Sequence, residues 1–336
     1  MRTAPSSRRG QRFALAAALI AALTVLMGAP AAAAPTTPAV SQLKVALIAP
    51  SAHNDLAFTQ SMYSALQQLK AKYHFKLSVS ENQFVVADAA NIMRQYASQG
   101  YNLIVAHGSQ YGGTIQQLAP EFPNVSFAWG TASSTFNLPN VYAYQANSNE
   151  GGYVQGYVAA LLSKTKVLGV IGPIAVGDAK LYVDGFKAGA LAAVPKATVH
   201  VSYTGSFSDA SLMSKQATQY LAAKADVLTG SSQSVVGAIT VAKAHGIPWF
   251  GTQWSQATLA PKQVVASQVY DWTGILGKIL TGIQAKKLGG ASYTITLKNG
   301  GEKIRFNPGY TLPATITAAA QKVIGQIANG SIKVPN

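Results

Sequence analysis

Apolar residues along this chain fall into two alternating patterns. Short runs of Val, Ile, Leu and Ala, such as Val45 to Ala49 and Val167 to Ile171, are separated by longer segments whose apolar positions recur at helical spacing. The short runs read as strands buried on both faces and the longer segments as helices, so their alternation predicts parallel sheets flanked by helices. The first series comprises strand Lys44 to Ala49, helix Gln60 to Tyr73, strand Lys76 to Ser80, helix Val86 to Gln99, strand Leu103 to Ala106, helix Thr114 to Phe122 and strand Ser126 to Trp129. A second series repeats the plan: helix Gly151 to Leu162, strand Val167 to Ile171, helix Asp178 to Ala193, strand Thr198 to Tyr203, helix Ala210 to Ala223, strand Val227 to Thr229, helix Val235 to His245, strand Pro248 to Phe250, strand Val264 to Tyr270 and helix Trp272 to Leu288.

Two such series predict an α/β protein of two doubly wound parallel-sheet lobes with a hinged cleft between them. Gln253 to Lys262 is irregular and bears an aromatic, so it is expected to return strand Val264 to Tyr270 to the first lobe. Ser292 to Leu297 and Lys303 to Phe306 flank Lys298-Asn299-Gly300-Gly301 and read as a hairpin. The expected division is residues 41–145 plus 253–288 for lobe 1 and residues 146–252 plus 289–334 for lobe 2.

Composition changes this picture in three ways. Arg2, Arg8, Arg9 and Arg12 precede an apolar run from Phe13 to Met27 and the small residues Ala31 to Ala34, the form of a secretory signal over residues 1–34. The run is short for a membrane span, and Gln11 weakens its likeness to a twin-arginine signal. The chain has no cysteine, which excludes disulfides, thiolate metal sites, a cysteine nucleophile and a lipid-modified cysteine. Export without a lipid anchor points to a periplasm, or to secretion. Charge is strongly positive, 26 basic against 11 acidic side chains; without the four signal arginines the net is about +11. The lysines are scattered, with only Lys286-Lys287 adjacent, so no nucleic-acid patch is expected.

Chemistry concentrates in loops after strands, where an open sheet places its ligands. The first, Ser51-Ala52-His53-Asn54-Asp55-Leu56-Ala57-Phe58-Thr59-Gln60, offers either a ligand wall carrying Phe58, or a turn in which Asn54 or Asp55 caps the helix and Phe58 enters the core. His107 follows the third strand beside Gly108, as crevice contact or satisfied loop histidine. Trp129 ends a strand, either meeting ligand or plugging the lobe interface. The five histidines show no metal-ligand spacing. No nucleophile motif appears either, Gly230-Ser231-Ser232 and Gly205-Ser206-Phe207 not being a hydrolase elbow. Binding is therefore expected, without catalysis, cofactor or metal.

The chain resembles the basic membrane protein family of ABC-transporter substrate-binding proteins, which have the type I periplasmic-binding fold. The resemblance rests on Asn54 to Gln60, Asn124-Val125-Ser126-Phe127-Ala128, Asn149-Glu150-Gly151-Gly152-Tyr153-Val154-Gln155-Gly156, Tyr182-Val183-Asp184-Gly185-Phe186-Lys187-Ala188-Gly189, Thr204-Gly205-Ser206-Phe207-Ser208-Asp209 and Ala222 to Leu228. Members capture purine nucleosides between two aromatic rings, and Phe58 and Phe207 stand where those rings would be. Asp55 matches the family acid, while Thr59 replaces an asparagine.

Three departures imply a changed ligand. Trp129-Gly130-Thr131 stands where the family has a base-holding aspartate, Gly251-Thr252-Gln253-Trp254 where it has a ribose-holding acid, and Tyr270-Asp271-Trp272 where it has a lysine. With sugar anchors lost and rings kept, the resemblance implies a nucleobase or similar planar heterocycle. The expected ligand-binding residues are Asn54, Asp55, Phe58, Thr59, His107, Trp129, Phe207, Ser231, Gln253, Trp254, Tyr270 and Asp271, with Gln233 a further polar contact. Expected partners are that small molecule and the permease subunits of an ABC importer, the protein itself being a monomer. A periplasmic sensor subunit, a sugar or nucleoside receptor, and a hydrolase of the ligand are the alternatives.

Overall fold

The computed structural model describes residues 39–335, so the expected signal at residues 1–34 lies outside the described residues. Two six-stranded sheets form the frame. The first takes β1 (Lys44–Ile48), β2 (Lys76–Ser80), β3 (Leu103–Ala106), β4 (Ser126–Gly130), β5 (Val141–Ala146) and β11 (Ala291–Ile295), in the order β11-β5-β4-β3-β1-β2, all parallel. The second takes β6 (Val167–Gly172), β7 (Thr198–Tyr203), β8 (Val227–Gly230), β9 (Trp249–Gly251), β10 (Val264–Tyr270) and β12 (Glu302–Phe306), in the order β12-β10-β9-β8-β6-β7, with β12 antiparallel to β10.

Helices cover both faces of each sheet, which is why the strands are apolar throughout. In β1, Val45 and Leu47 face one buried cluster while Ala46 and Ile48 face another, the period-two alternation of a strand. The first cluster includes α1 (Phe58–Tyr73) and α8 (Thr273–Gln284), and the second α2 (Val86–Ser98) and α3 (Gly112–Glu121). In the second lobe the same role falls to α4 (Ser148–Leu162), α5 (Gly177–Ala193) and α9 (Ala314–Ala328) on one side and α6 (Ala210–Ala222) and α7 (Val236–Ala244) on the other. Among the described residues no helix is long and apolar enough to cross a membrane.

The sheet order corrects the expected lobe division. Strand β10 pairs with β9 in the second sheet rather than returning to the first, because residues 253–262 pack against the Trp249 cluster through Ala257, Leu259 and Ala260 as a crossover within one lobe. The chain crosses one step later, where Tyr270 ends β10 and Trp272 enters the first lobe's core. The last two strands are no hairpin either. β11 pairs with β5, Ala291 opposite Tyr142, and β12 with β10, Tyr270 opposite Glu302. The turn around Gly300 is therefore a third crossing, beside those after β5 and β10.

Helices α4 and α5 pack almost backbone to backbone. A Cβ on Gly156 would run into the Phe186 carbonyl and one on Gly189 into the Tyr153 carbonyl, with Gly152 and Gly185 equally tight against Tyr182 and Asn149. The spacing Gly152-x-x-x-Gly156 against Gly185-x-x-x-Gly189 sets the seat of α5, whose first turn enters the cleft.

Candidate functional site

Loops from the carboxyl ends of both sheets converge on a cavity of about 110 Å³. The first lobe contributes Phe58, Phe84, Gln110 and Thr131, and the second Asp178, Phe207, Ser231, Gln233 and Gln253. Among the described residues its lining holds one carboxylate, Asp178, and no lysine or arginine. Two lining residues other than glycine sit in the left-handed region, Thr131 at φ 56° and Gln253 at φ 66°. Such a conformation costs roughly 1–3 kcal/mol and clusters at binding sites, where the surrounding structure enforces it.

Phe58 is a wall with a fixed backing. His107 lies behind it, ring centroids 3.7 Å apart and planes inclined by 10°. The imidazole is fully buried, and burial pushes its pKa down to about 3, so it is neutral. Its Nε2 donates to the Phe58 carbonyl at 3.1 Å, leaving Nδ1 to accept from the Tyr144 hydroxyl at 2.9 Å. His107 thus positions the ring without lining the cavity. Phe207 stands on the opposite lobe, its carbonyl held by the Ser232 hydroxyl at 2.7 Å, with Phe84 tilted beside it at 6.2 Å.

Several expected contacts do other work. Asp55 is a helix cap: Oδ1 accepts from the N–H groups of Ala57 and Gln60 at 2.9 and 3.0 Å, while Oδ2 accepts from Thr59 N–H at 3.1 Å and Ser51 Oγ at 2.7 Å. Burial raises its pKa against those bonds. Thr59 is fully buried, with its Oγ1 2.7 Å from Ser51 Oγ, and Asn54 is exposed outside the cavity. Trp129 turns away to stack on Phe136 at 4.8 Å, its indole N–H donating to the Ser109 carbonyl, so that Thr131 faces the ligand space instead. Trp254 does not line the cavity. Asp271 caps α8 through Thr273 and pairs with Lys303 at 2.7 Å.

Tyr270 acts at one remove. Buried beneath the cavity, its hydroxyl donates to Asp178 Oδ2 at 3.3 Å. Gln253 also hydrogen-bonds this carboxylate, as do the N–H groups of Asp178 and Ala179 at the start of α5, yet burial dominates and raises the acid to about 6. Asp178 was not among the expected contacts. Its signal was positional: a lone acid at a helix start after a strand of the second sheet. Phe84, Gln110 and Ser232 were likewise missed, lying after strands whose loops carried no recognisable motif.

The arrangement is a cavity between two lobes, lined by aromatic and polar side chains of both. The family of PnrA-like ABC transporter substrate-binding proteins matches residues 42–336. A purine-binding protein of Brucella abortus is 29% identical over 236 residues, 70% of this chain and 67% of that one. An ABC transporter nucleoside-binding protein of Lactococcus lactis is 26% identical over 305 residues, covering 84% and 86% of the two chains. An ABC transporter solute-binding protein from Conexibacter woesei superposes with a TM-score of 0.74 at 26% identity, over 88% of this chain and 99% of that one. The chain belongs to the PnrA-like family of ABC transporter substrate-binding proteins, two-lobed binding proteins that hand a small molecule to a permease.

Proposed function

We propose that this protein delivers a planar nitrogen heterocycle, a free nucleobase or close analogue rather than a nucleoside, to an ABC importer. The observation that carries the reading is the cavity: about 110 Å³ lined by Phe58, Phe84 and Phe207, with Asp178 as its only charged side chain among the described residues. Sites for drug-sized ligands occupy roughly 300–1,000 Å³, so the space favours a bare ring system over a ring with its sugar. Where the family resemblance implies a ribose-holding acid this chain carries Gln253, and where it implies a lysine it carries Tyr270, which is bonded to Asp178. The relatives' names, one purine-binding and one nucleoside-binding, bracket the same choice. The protein acts as a monomer outside the cytoplasmic membrane, reaching it by the basic and apolar segment at residues 1–34.

Calorimetric titration of ligand-stripped protein tests this. Adenine, guanine or hypoxanthine should bind at least tenfold more tightly than adenosine, guanosine or inosine. Nucleosides binding more tightly than every base would overturn it.

A further inference from the structure

The three crossings between the lobes meet at one buried acid. Glu302 opens β12 just after the third crossing and is 1% exposed. Its Oε1 accepts from the N–H of Gly151 at 2.8 Å, in the first turn of α4 after the first crossing, and from the side-chain amide of Gln268, on β10 just before the second. Tyr270 lies opposite Glu302 in the ladder, which makes Gln268 its diagonal neighbour on the same face. Gly151 permits this approach, since a Cβ there would run into both Glu302 Oε1 and the Gln268 nitrogen.

Donors and acceptors do not balance in this cluster. The Gln268 NH₂ gives its second hydrogen to the Ser148 carbonyl at 3.0 Å. Glu302 Oε2 and Gln268 Oε1 are then left buried with no partner among the described residues. Two orphaned acceptors, on groups already bonded to each other, lack one hydrogen between them; a proton on Oε2 supplies it and closes acid and amide into a cyclic pair. The surroundings favour that proton. Burial raises the Glu302 pKa well above the usual carboxylate range, and the charges facing it, Glu150 of α4 and Asp178 of α5, are both acids. The hydroxyls of Tyr270 and Tyr182 face it as neutral groups, while the adjacent Lys303 turns away to Asp271.

We propose that a proton shared between Glu302 and Gln268 pins the three interlobe crossings together, and that its loss at alkaline pH frees the hinge and weakens ligand binding. The pin reaches the cavity through Ser148, whose carbonyl holds Gln268 and whose hydroxyl donates to the Asp178 carbonyl. The same turn of α4 seats α5, because a Cβ on Gly185 would strike the Asn149 carbonyl. An ionised Glu302 has no donor for its second oxygen and repels Glu150 and Asp178, so the first turns of α4 and α5 are pushed from their seats. The cavity wall that α5 carries loosens with them, whatever ligand it faces.

The test compares the full-length protein with Glu302→Gln, in which an NH₂ replaces the acid O–H and does not titrate. The native state keeps a proton that the unfolded chain releases above about pH 4.3, so the stability from this group is lost as pH rises. Urea unfolding at pH 5, 6, 7 and 8 should show the unfolding constant of the unaltered protein rising about tenfold per pH unit relative to the variant, and a constant ratio overturns the proposal. Between pH 7 and 9, hydrogen exchange at Asn147, Gly151 and Asp271 should accelerate at least fivefold more in the unaltered protein than in the variant, with β3 unaffected; equal acceleration removes the hinge role. In calorimetry over the same interval, with adenine, or with adenosine if adenine does not bind, the dissociation constant of the unaltered protein should rise at least threefold relative to the variant, and a flat ratio overturns the link to binding. If neither purine binds, the base reading falls while unfolding and exchange decide the proton pin. Should Glu302→Gln not fold, carbon-13 spectra of glutamate-labelled protein decide: one of the four glutamate side chains protonated at pH 7 supports the pin, and four ionised overturn it.

Discussion

His107 makes the fold sensitive to acid. In the native protein burial holds its pKa near 3, against about 6.5 in an unfolded chain. Below pH 6.5 the unfolded state takes up a proton that the native state refuses, so native stability is lost progressively as pH falls from 6.5 towards 3. Each pH unit in that window is worth about 1.4 kcal/mol, so by pH 5 the loss is about 2 kcal/mol. Buried acids act with the opposite sign. Asp178, raised to about 6, and Asp55 and Glu302, both raised by burial, bind protons in the native state first and stabilise it as pH falls. The wild-type curve therefore mixes these groups with acids whose pKa is lowered, such as Asp271 and Asp226, and the comparison that isolates His107 is with His107→Gln. At pH 7 the glutamine variant should be less stable by about 1–3 kcal/mol, through imperfect replacement of the bonds to Phe58 and Tyr144. Urea unfolding followed by circular dichroism at pH 7, 6 and 5 should show this gap closing by about 2 kcal/mol. A gap constant to within about 0.5 kcal/mol across the series would refute a buried neutral imidazole at this position.

Two further outcomes follow from the packing. Gly156→Ala drives a methyl into the Phe186 carbonyl where α4 meets α5, and should destabilise by about 3 kcal/mol or more, read as a lower urea midpoint, whereas Gly325→Ala on α9, with open space around it, should be neutral or slightly stabilising. Phe207→Leu removes one ring face from the cavity and should weaken base binding about 5- to 150-fold in calorimetry with little change in thermal stability, since Phe207 is only half-buried; unchanged affinity would remove it from the site.

What could be read in advance, and what could not, divides along physical lines. Strands such as β3, with every residue buried, announce themselves because helices cover both faces, and helices α1 to α7 appear between them at nearly their observed bounds. β5 and α9 went unread: in β5 two tyrosines interrupt the aliphatic run, and the alanines of α9 make only a weak apolar stripe. Sheet membership of β10 and β12 was hidden for a different reason. Seven buried residues in β10 fit an edge of either sheet, and the choice is made by distant partners, β9 and β12.

The site shows the same limit at the scale of single side chains. Asp55, Asp178 and Asp271 all lie near helix starts after strands, and locally the three are equivalent candidates for cap or ligand contact. Surroundings drawn from elsewhere separate them. Asp55 is saturated by its own helix and Ser51, and Asp271 gains Lys303 from a strand of the opposite lobe. Asp178 lines the cavity, as Asp55 does not, and its donors come from three parts of the chain: a tyrosine from β10, a glutamine from the loop after β9 and two backbone N–H groups of its own helix. A carboxylate enclosed without a cation remains under-compensated, which is why the pKa of Asp178, like that of Asp55, rises while that of Asp271, paired with Lys303, falls. Two buried amide oxygens of the same lining, Gln253 Oε1 and Gln233 Oε1, likewise have no donor among the described residues.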